Sequence, residues 1–158
     1  RLASAESRRG LAHLETLNAS HRRYMAREHA CPKDAYYERF AETMKGHGAG
    51  GGPPTAADAA GMAVMTDRFY EAQCVKDEAM GEAVAEAWRR GPKGTIVLHV
   101  NGAFHSDYGL GTAERARTRA PTATHVIISA IPVADLATAA PAEHVKKGDY
   151  LIFTRAPK

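Results

Sequence analysis

Thr95-Ile96-Val97-Leu98-His99-Val100, running straight into Asn101-Gly102-Ala103-Phe104-His105-Ser106-Asp107-Tyr108-Gly109-Leu110-Gly111, is the stretch on which the fold turns. The first six residues are β-branched or apolar with little alternation, which predicts a strand covered on both faces. The glycines that follow predict a loop at the carboxyl end of that strand. Beyond the loop, a short helix is expected over Thr112 to Arg119. A second apolar strand is expected over His125 to Ile131, and a third over Tyr150 to Thr154. Strand, helix, strand in this order predicts an α/β fold, a partly parallel sheet flanked by helices. Three strands are few for such a sheet, so further strands are expected upstream of Arg1, which is not an initiator methionine. The 158 residues are expected to form a single domain.

On the other side of the strand, Gly91-Pro92-Lys93-Gly94 ends a long helix and turns the chain. That helix is expected from Thr55 to Arg90, with a break near Gly61 and with Thr55 and Asp58 in a capping arrangement. At 100° per residue, Met62, Met65, Phe69, Met80 and Val84 project onto one face, together with Gln73 and Asp77. A polar pair in an apolar stripe is expected to be buried and hydrogen-bonded, because it costs stability otherwise. Before it, Gly46 to Pro54 reads as a mobile glycine- and proline-rich loop. Further back, Leu11 to His29 reads as helical and stops before Pro32. Asp34 is placed to cap a helix whose stripe is Tyr37, Phe40, Ala41 and Met44.

The bulk numbers are those of an ordinary folded chain: 44% hydrophobic, 25% charged, mean hydropathy -0.38. No apolar run reaches the roughly 18 residues of a membrane span. Arg1 to Gly10 are polar and charged, without the apolar core of a signal peptide. The net charge of +3 is concentrated early, at Arg8, Arg9, Arg22, Arg23 and Arg27. With no aromatic platform or reading helix beside them, these arginines do not predict a nucleic-acid partner. They read as a solvated face or as an anion or propionate site. Cys31 and Cys74 lack the spacing of a metal knuckle; by spacing alone they are either two buried thiols or one disulfide.

For chemistry, the loop stands out. Ligands of open α/β sheets sit beyond the carboxyl ends of strands, where Asn101, Gly102, His105 and Tyr108 are expected. Histidine is the commonest protein metal ligand, and a tyrosine phenolate can ligate ferric haem iron. His99, inside the expected strand, reads as a core residue. His13, His21, His29, His47, His125 and His144 show no partner spacing. There is no G-x-S-x-G elbow, and the run Gly48 to Gly52 lacks the Lys-Ser/Thr of a phosphate-binding loop.

Two stretches together carry a family resemblance. Phe69-Tyr70-Glu71-Ala72-Gln73-Cys74-Val75-Lys76-Asp77-Glu78-Ala79-Met80 resembles the Gln-x-x-x-Asp-x-x-Met-Ala helix of ChaN-like haem-binding proteins, with Gly81 where that pattern has Ala. Val100-Asn101-Gly102-Ala103-Phe104-His105, then Asp107-Tyr108-Gly109, is similar to the second Gly-x-x-His loop of the same family, and the spacing between the two stretches matches. The likeness spans roughly Tyr36 to Pro121 and corresponds to the family's C-terminal half. An earlier Gly-Glu-x-His motif of the family is absent from this sequence.

What the resemblance implies is an α/β fold and an iron-regulated, haem-binding lipoprotein of the bacterial envelope, in the superfamily of Tiki and erythromycin-esterase-like proteins. It implies a haem ligand set in which His105 contacts iron or a propionate, with Tyr70 or Tyr108 as axial ligand. Gln73, Asp77, Asn101 and Gly102 would order the pocket. It also implies a Cys31–Cys74 disulfide, suited to an oxidising compartment. The alternative is a metal-dependent hydrolase using zinc or manganese, although His105 alone cannot hold a catalytic zinc. In either case the site is expected to be completed by an N-terminal fragment of the same precursor or by a homodimer mate.

Overall fold

The structure, a computed structural model, describes residues 10–45 and 56–156. The expected mobile loop at Gly46 to Pro54 and the cap at Thr55 lie outside the described residues. The chain divides into two units, Arg1–Ala79 and Met80–Lys158, and each is described by itself.

In the first unit, the expected long helix over Leu11 to His29 is two separate turns, α1 (Leu11–Leu14) and α2 (Ala19–Arg22). Asn18 interrupts them: its side chain accepts from the His21 backbone N–H and starts the second turn afresh. Apolar residues are too sparse here for an extended stripe, and among the described residues Leu14 and Met25 pack against Val75, with Leu11 and Leu17 alongside. Helix α3 (Ala35–Lys45) begins where Asp34 caps it, its Oδ1 accepting from Tyr36 N at 2.9 Å and Tyr37 N at 3.3 Å.

Helix α4 (Ala56–Arg90) runs from the first unit into the second without interruption at Gly61. Its buried positions include Thr66, Tyr70, Cys74, Asp77, Gly81 and Ala85, in steps of four with a single step of three. That stripe lies about one position away from the one hydropathy picks out: Met65 and Phe69 are exposed, Met80 and Val84 are half-buried. The expected paired burial of Asp77 is found, and Gln73 is partly buried. In the first unit the reason is visible. The face is organised by a disulfide, tyrosines and carboxylates that accept backbone donors, rather than by the largest apolar side chains. Glu71 accepts from Leu11 N (3.1 Å) and Glu78 from Ala30 N (3.2 Å), so α4 itself satisfies backbone groups of the irregular segment beside it.

The second unit holds the sheet. Gly91 N–H bonds back to Ala87 O and Trp88 O, and Gly94 adopts φ 89° in the turn that follows. Residues 103–105 and 107–109 form one-turn 3-10 helices, and α5 (Thr112–Arg119) follows as expected. Strands β1 (Ile128–Val133) and β2 (Tyr150–Arg155) pair in parallel, Ile128 opposite Tyr150 and Ala130 opposite Ile152. Mixed helix and parallel strand is an α/β fold, as the sequence predicts. The middle expected strand starts later than His125, because Asp149 Oδ2 takes the Ile127 N–H (2.8 Å) and the ladder begins only beyond it.

Thr95–Val100 departs most from expectation. It is not in a ladder among the described residues, and Ile96, Leu98 and Val100 are 92%, 83% and 83% exposed. His99, expected in the core, is exposed with them. A run of β-branched residues cannot form a strand without a partner for its N–H and C=O groups, and no described segment provides one. Ile128, Tyr150 and Ile152 are also exposed, leaving one face of the β1–β2 pair uncovered.

Candidate functional site

The motif residues lie in two places. In the first unit, the α4 motif and the segment around α3 build a closed polar and aromatic cluster. Tyr36 is fully buried, and its hydroxyl donates to Asp77 Oδ2 at 2.7 Å. Gln73 Nε2 donates to the same phenol oxygen at 3.3 Å. Asp77 is 0% exposed, so a charge-assisted hydrogen bond replaces part of the hydration that its carboxylate gives up. Tyr70 lies beside them, its ring centroid 5.8 Å from Tyr36, 5.0 Å from Tyr37 and 5.6 Å from Phe40. Its hydroxyl donates to Pro32 O at 2.8 Å. The Cys31–Cys74 disulfide, Cα–Cα 5.5 Å, fastens the segment before α3 to the same face of α4. No sequence pattern singled out Tyr36, since the apolar stripe of α3 runs through its neighbour. The only available signal was the carboxylate at Asp77, which required a buried donor.

At the rim of this cluster, Asp67 receives Lys33 Nζ on Oδ2 and the Tyr37 hydroxyl on Oδ1, both at 2.7 Å. The hydrogen bond from Lys33, followed by that from Tyr37, holds the Asp67 carboxyl below its usual range. The same hydrogen bonds to Asp67 raise Lys33 and Tyr37 above theirs.

In the second unit, Asn101, Gly102, His105 and Tyr108 fall in one compact loop. His105 N–H bonds to Gly102 O at 2.9 Å, closing the Gly-x-x-His turn. Asp107, 6% exposed, accepts the Ser129 hydroxyl at 2.7 Å, which ties the loop to β1. Tyr108 N–H donates to Lys147 O at 2.9 Å. This second tie places Tyr108 in the left-handed region (φ 65°, ψ 12°), an unfavourable place for an aromatic residue, and the residue is 37% exposed. His105 is half-buried. Asn101 Nδ2 is buried with no hydrogen-bond partner among the described residues. A buried donor lacking an acceptor marks the loop as able to take a ligand oxygen.

Behind the loop, α5 packs closely on α4. A Cβ at Gly81 would stand 2.6 Å from Arg115 Cβ and 3.0 Å from Ala116 N. That contact explains why glycine stands where the helix motif has alanine. Among the described residues, no group of three His, Cys, Asp or Glu stands close enough to hold a metal ion.

The family model for haem-binding uptake proteins of the ChaN type, in the Tiki superfamily, matches residues 1–116. The chain belongs to this family. The match takes in both the α4 motif and the loop through Gly109, and extends upstream of the Tyr36 boundary expected from the sequence. No curated protein and no solved structure matches the chain. Membership in a haem-binding family fits the donor chemistry of the loop: an imidazole, a partly exposed phenol and a buried amide without an acceptor. No described helix is long and apolar enough to cross a membrane.

Proposed function

We propose that the chain binds haem as cargo in bacterial iron uptake or storage, within the cell envelope, through the loop of residues 101–108. The observation that carries this reading is the set of groups in that loop: half-buried His105, strained Tyr108 and the unpartnered Asn101 amide. His105 contacts the iron or a propionate. Tyr108, partly exposed, is the better candidate for axial ligand; Tyr70 is 2% exposed and its hydroxyl donates to Pro32 O. Asn101 donates to a propionate oxygen, and Gly102 lets the backbone approach the ligand. In the first unit, Gln73 and Asp77 set the geometry of the Tyr36 cluster.

The pocket is completed by a second polypeptide, either an N-terminal fragment of the same precursor or a homodimer mate. Two features support this. Residues 96–100 stand in no ladder among the described residues, with Ile96, Leu98 and Val100 in water, and the β1–β2 face at Ile128 and Ile152 is open. Parallel strands are ordinarily covered on both faces. The disulfide suits an oxidising compartment such as the cell envelope. The test is titration of the chain with haem, followed by its Soret absorption. A shifted, saturable band that weakens at least tenfold in His105→Ala supports the reading; no band, or an unaltered affinity in that variant, rejects it.

A further inference from the structure

We infer that Arg117 binds a haem propionate beside the loop and makes the site selective for porphyrins with free carboxylates, an inference that rests on the haem reading of that loop. What carries it is where the guanidinium stands. Gly109 adopts φ 73°, and a Cβ there would stand 3.3 Å from Arg117 Nη2 and 3.5 Å from Nη1. The tip of the Arg117 side chain therefore lies against the loop backbone, one residue beyond Tyr108, in space that a larger residue at 109 would take. The three arginines of α5 differ in what they hold. Arg115 Nη1 donates to Gly111 O at 3.1 Å, and Arg119 Nη1 to Arg115 O at 3.4 Å. Arg117 is exposed and makes no hydrogen bond or ion pair among the described residues.

Charge and shape select the ligand group. The acids of the loop and of the segments tied to it are engaged with other partners. Asp107 accepts the Ser129 hydroxyl at 2.7 Å, and Asp149 Oδ2 takes the Ile127 N–H at 2.8 Å. Glu114 Oε2 lies 3.8 Å from Arg115 Nη1. The Arg117 guanidinium is a planar fork that matches both oxygens of a carboxylate, which a point charge would not. Haem carries two such carboxylates on one edge of an apolar macrocycle. Iron ligation by the loop cannot distinguish haem from its dimethyl ester, whereas a carboxylate contact at Arg117 can. Because Arg117 is open to water, the contact is worth about fivefold in affinity, the upper end for an exposed ion pair.

Titration of the intact chain with ferric haem and with its dimethyl ester, read by Soret absorption under identical conditions, tests this. The parent is expected to bind haem about fivefold more tightly than the ester. Arg117→Gln should lose that preference: haem binds about fivefold more weakly, the ester binds as it does to the parent, and the position of the bound Soret band is unchanged because no axial ligand is altered. The comparison of the two porphyrins on the parent needs no variant, so it stands whatever Arg117→Gln does to folding. The inference is overturned if the parent binds both porphyrins equally, if Arg117→Gln binds haem as tightly as the parent, or if that variant loses the ester as much as haem. Haem binding that weakens in His105→Ala but not in Arg117→Gln removes the Arg117 contact and leaves the loop reading standing. A parent that shows no saturable band removes both.

Discussion

Replacing Asp77 by alanine tests the cluster that joins α3 to α4. In the parent, the Tyr36 hydroxyl donates to Asp77 Oδ2 at 2.7 Å, and both residues are 0% exposed. The substitution leaves that hydroxyl with Gln73 as a donor and no acceptor at the Asp77 position. An orphaned buried polar group costs about 1–3 kcal/mol, and loss of a charge-assisted bond favours the upper half of that range. For a chain of this size, 1 kcal/mol corresponds to about 2–4 °C in melting temperature, so a fall of roughly 2–12 °C is expected. Urea denaturation followed by circular dichroism reads the same loss as a lowered midpoint. A double-mutant cycle with Tyr36→Phe isolates the pair, and a coupling of at least about 0.5 kcal/mol is expected. An unchanged midpoint in Asp77→Ala, or strict additivity in the cycle, would refute the argument that the pair is buried and coupled.

Thiol counting on the denatured, unreduced chain should find no reactive cysteine, and reduction should lower stability by about 4 kcal/mol, from closure of the 43-residue separation. Two reactive thiols would remove the disulfide from the account. Gly81→Ala, which restores the residue of the helix motif, should destabilise by about 1–3 kcal/mol because its methyl meets Arg115 and Ala116; a neutral or stabilising effect in a denaturant melt would contradict that close approach. Ultraviolet titration, differenced against Tyr37→Phe, should place the Tyr37 phenol above its ordinary 10.0, and Asp67→Asn should bring it back down. Asp67 has a lowered pKa, so its contribution to stability is present above the ordinary carboxylate range and fades as pH falls through its depressed value. Acid melts of Asp67→Asn and parent should therefore converge at low pH.

Much of the fold was legible because local signals agreed with tertiary structure. The Gly91–Gly94 turn, the Asp34 cap, α5 and β2 all combine breaker or capping residues with a short run of fixed period. The long helix was legible in extent, but its buried face was not. Hydropathy weights Met65 and Phe69, whereas the face is set by Tyr70, Cys74 and Asp77, whose burial depends on partners over 35 residues away in sequence. Tyr36 was missed for the same reason: a fully buried phenol is recognisable only when its acceptor is known. Thr95–Val100 failed differently. Its residues dictate an extended chain, and a ladder additionally needs a neighbouring strand, which lies beyond any local pattern. In the site, the composition of the loop was readable, as were its turn and its glycines. The tie from Ser129 to Asp107 and the left-handed Tyr108 arise from contacts with later segments and were not.

The central claim is that the loop from Asn101 to Tyr108 is where haem binds. Haem titration of the parent, His105→Ala and Tyr108→Phe, read by Soret absorption under identical conditions, addresses it most directly. The account predicts a saturable band for the parent and at least a tenfold loss of affinity for His105→Ala, about 1.4 kcal/mol. It also predicts an altered band position for Tyr108→Phe, as expected when a phenolate ligand is removed. Parental affinity in His105→Ala would contradict the assignment and move the haem site elsewhere on the chain, and a parental spectrum in Tyr108→Phe would remove that residue as the axial ligand.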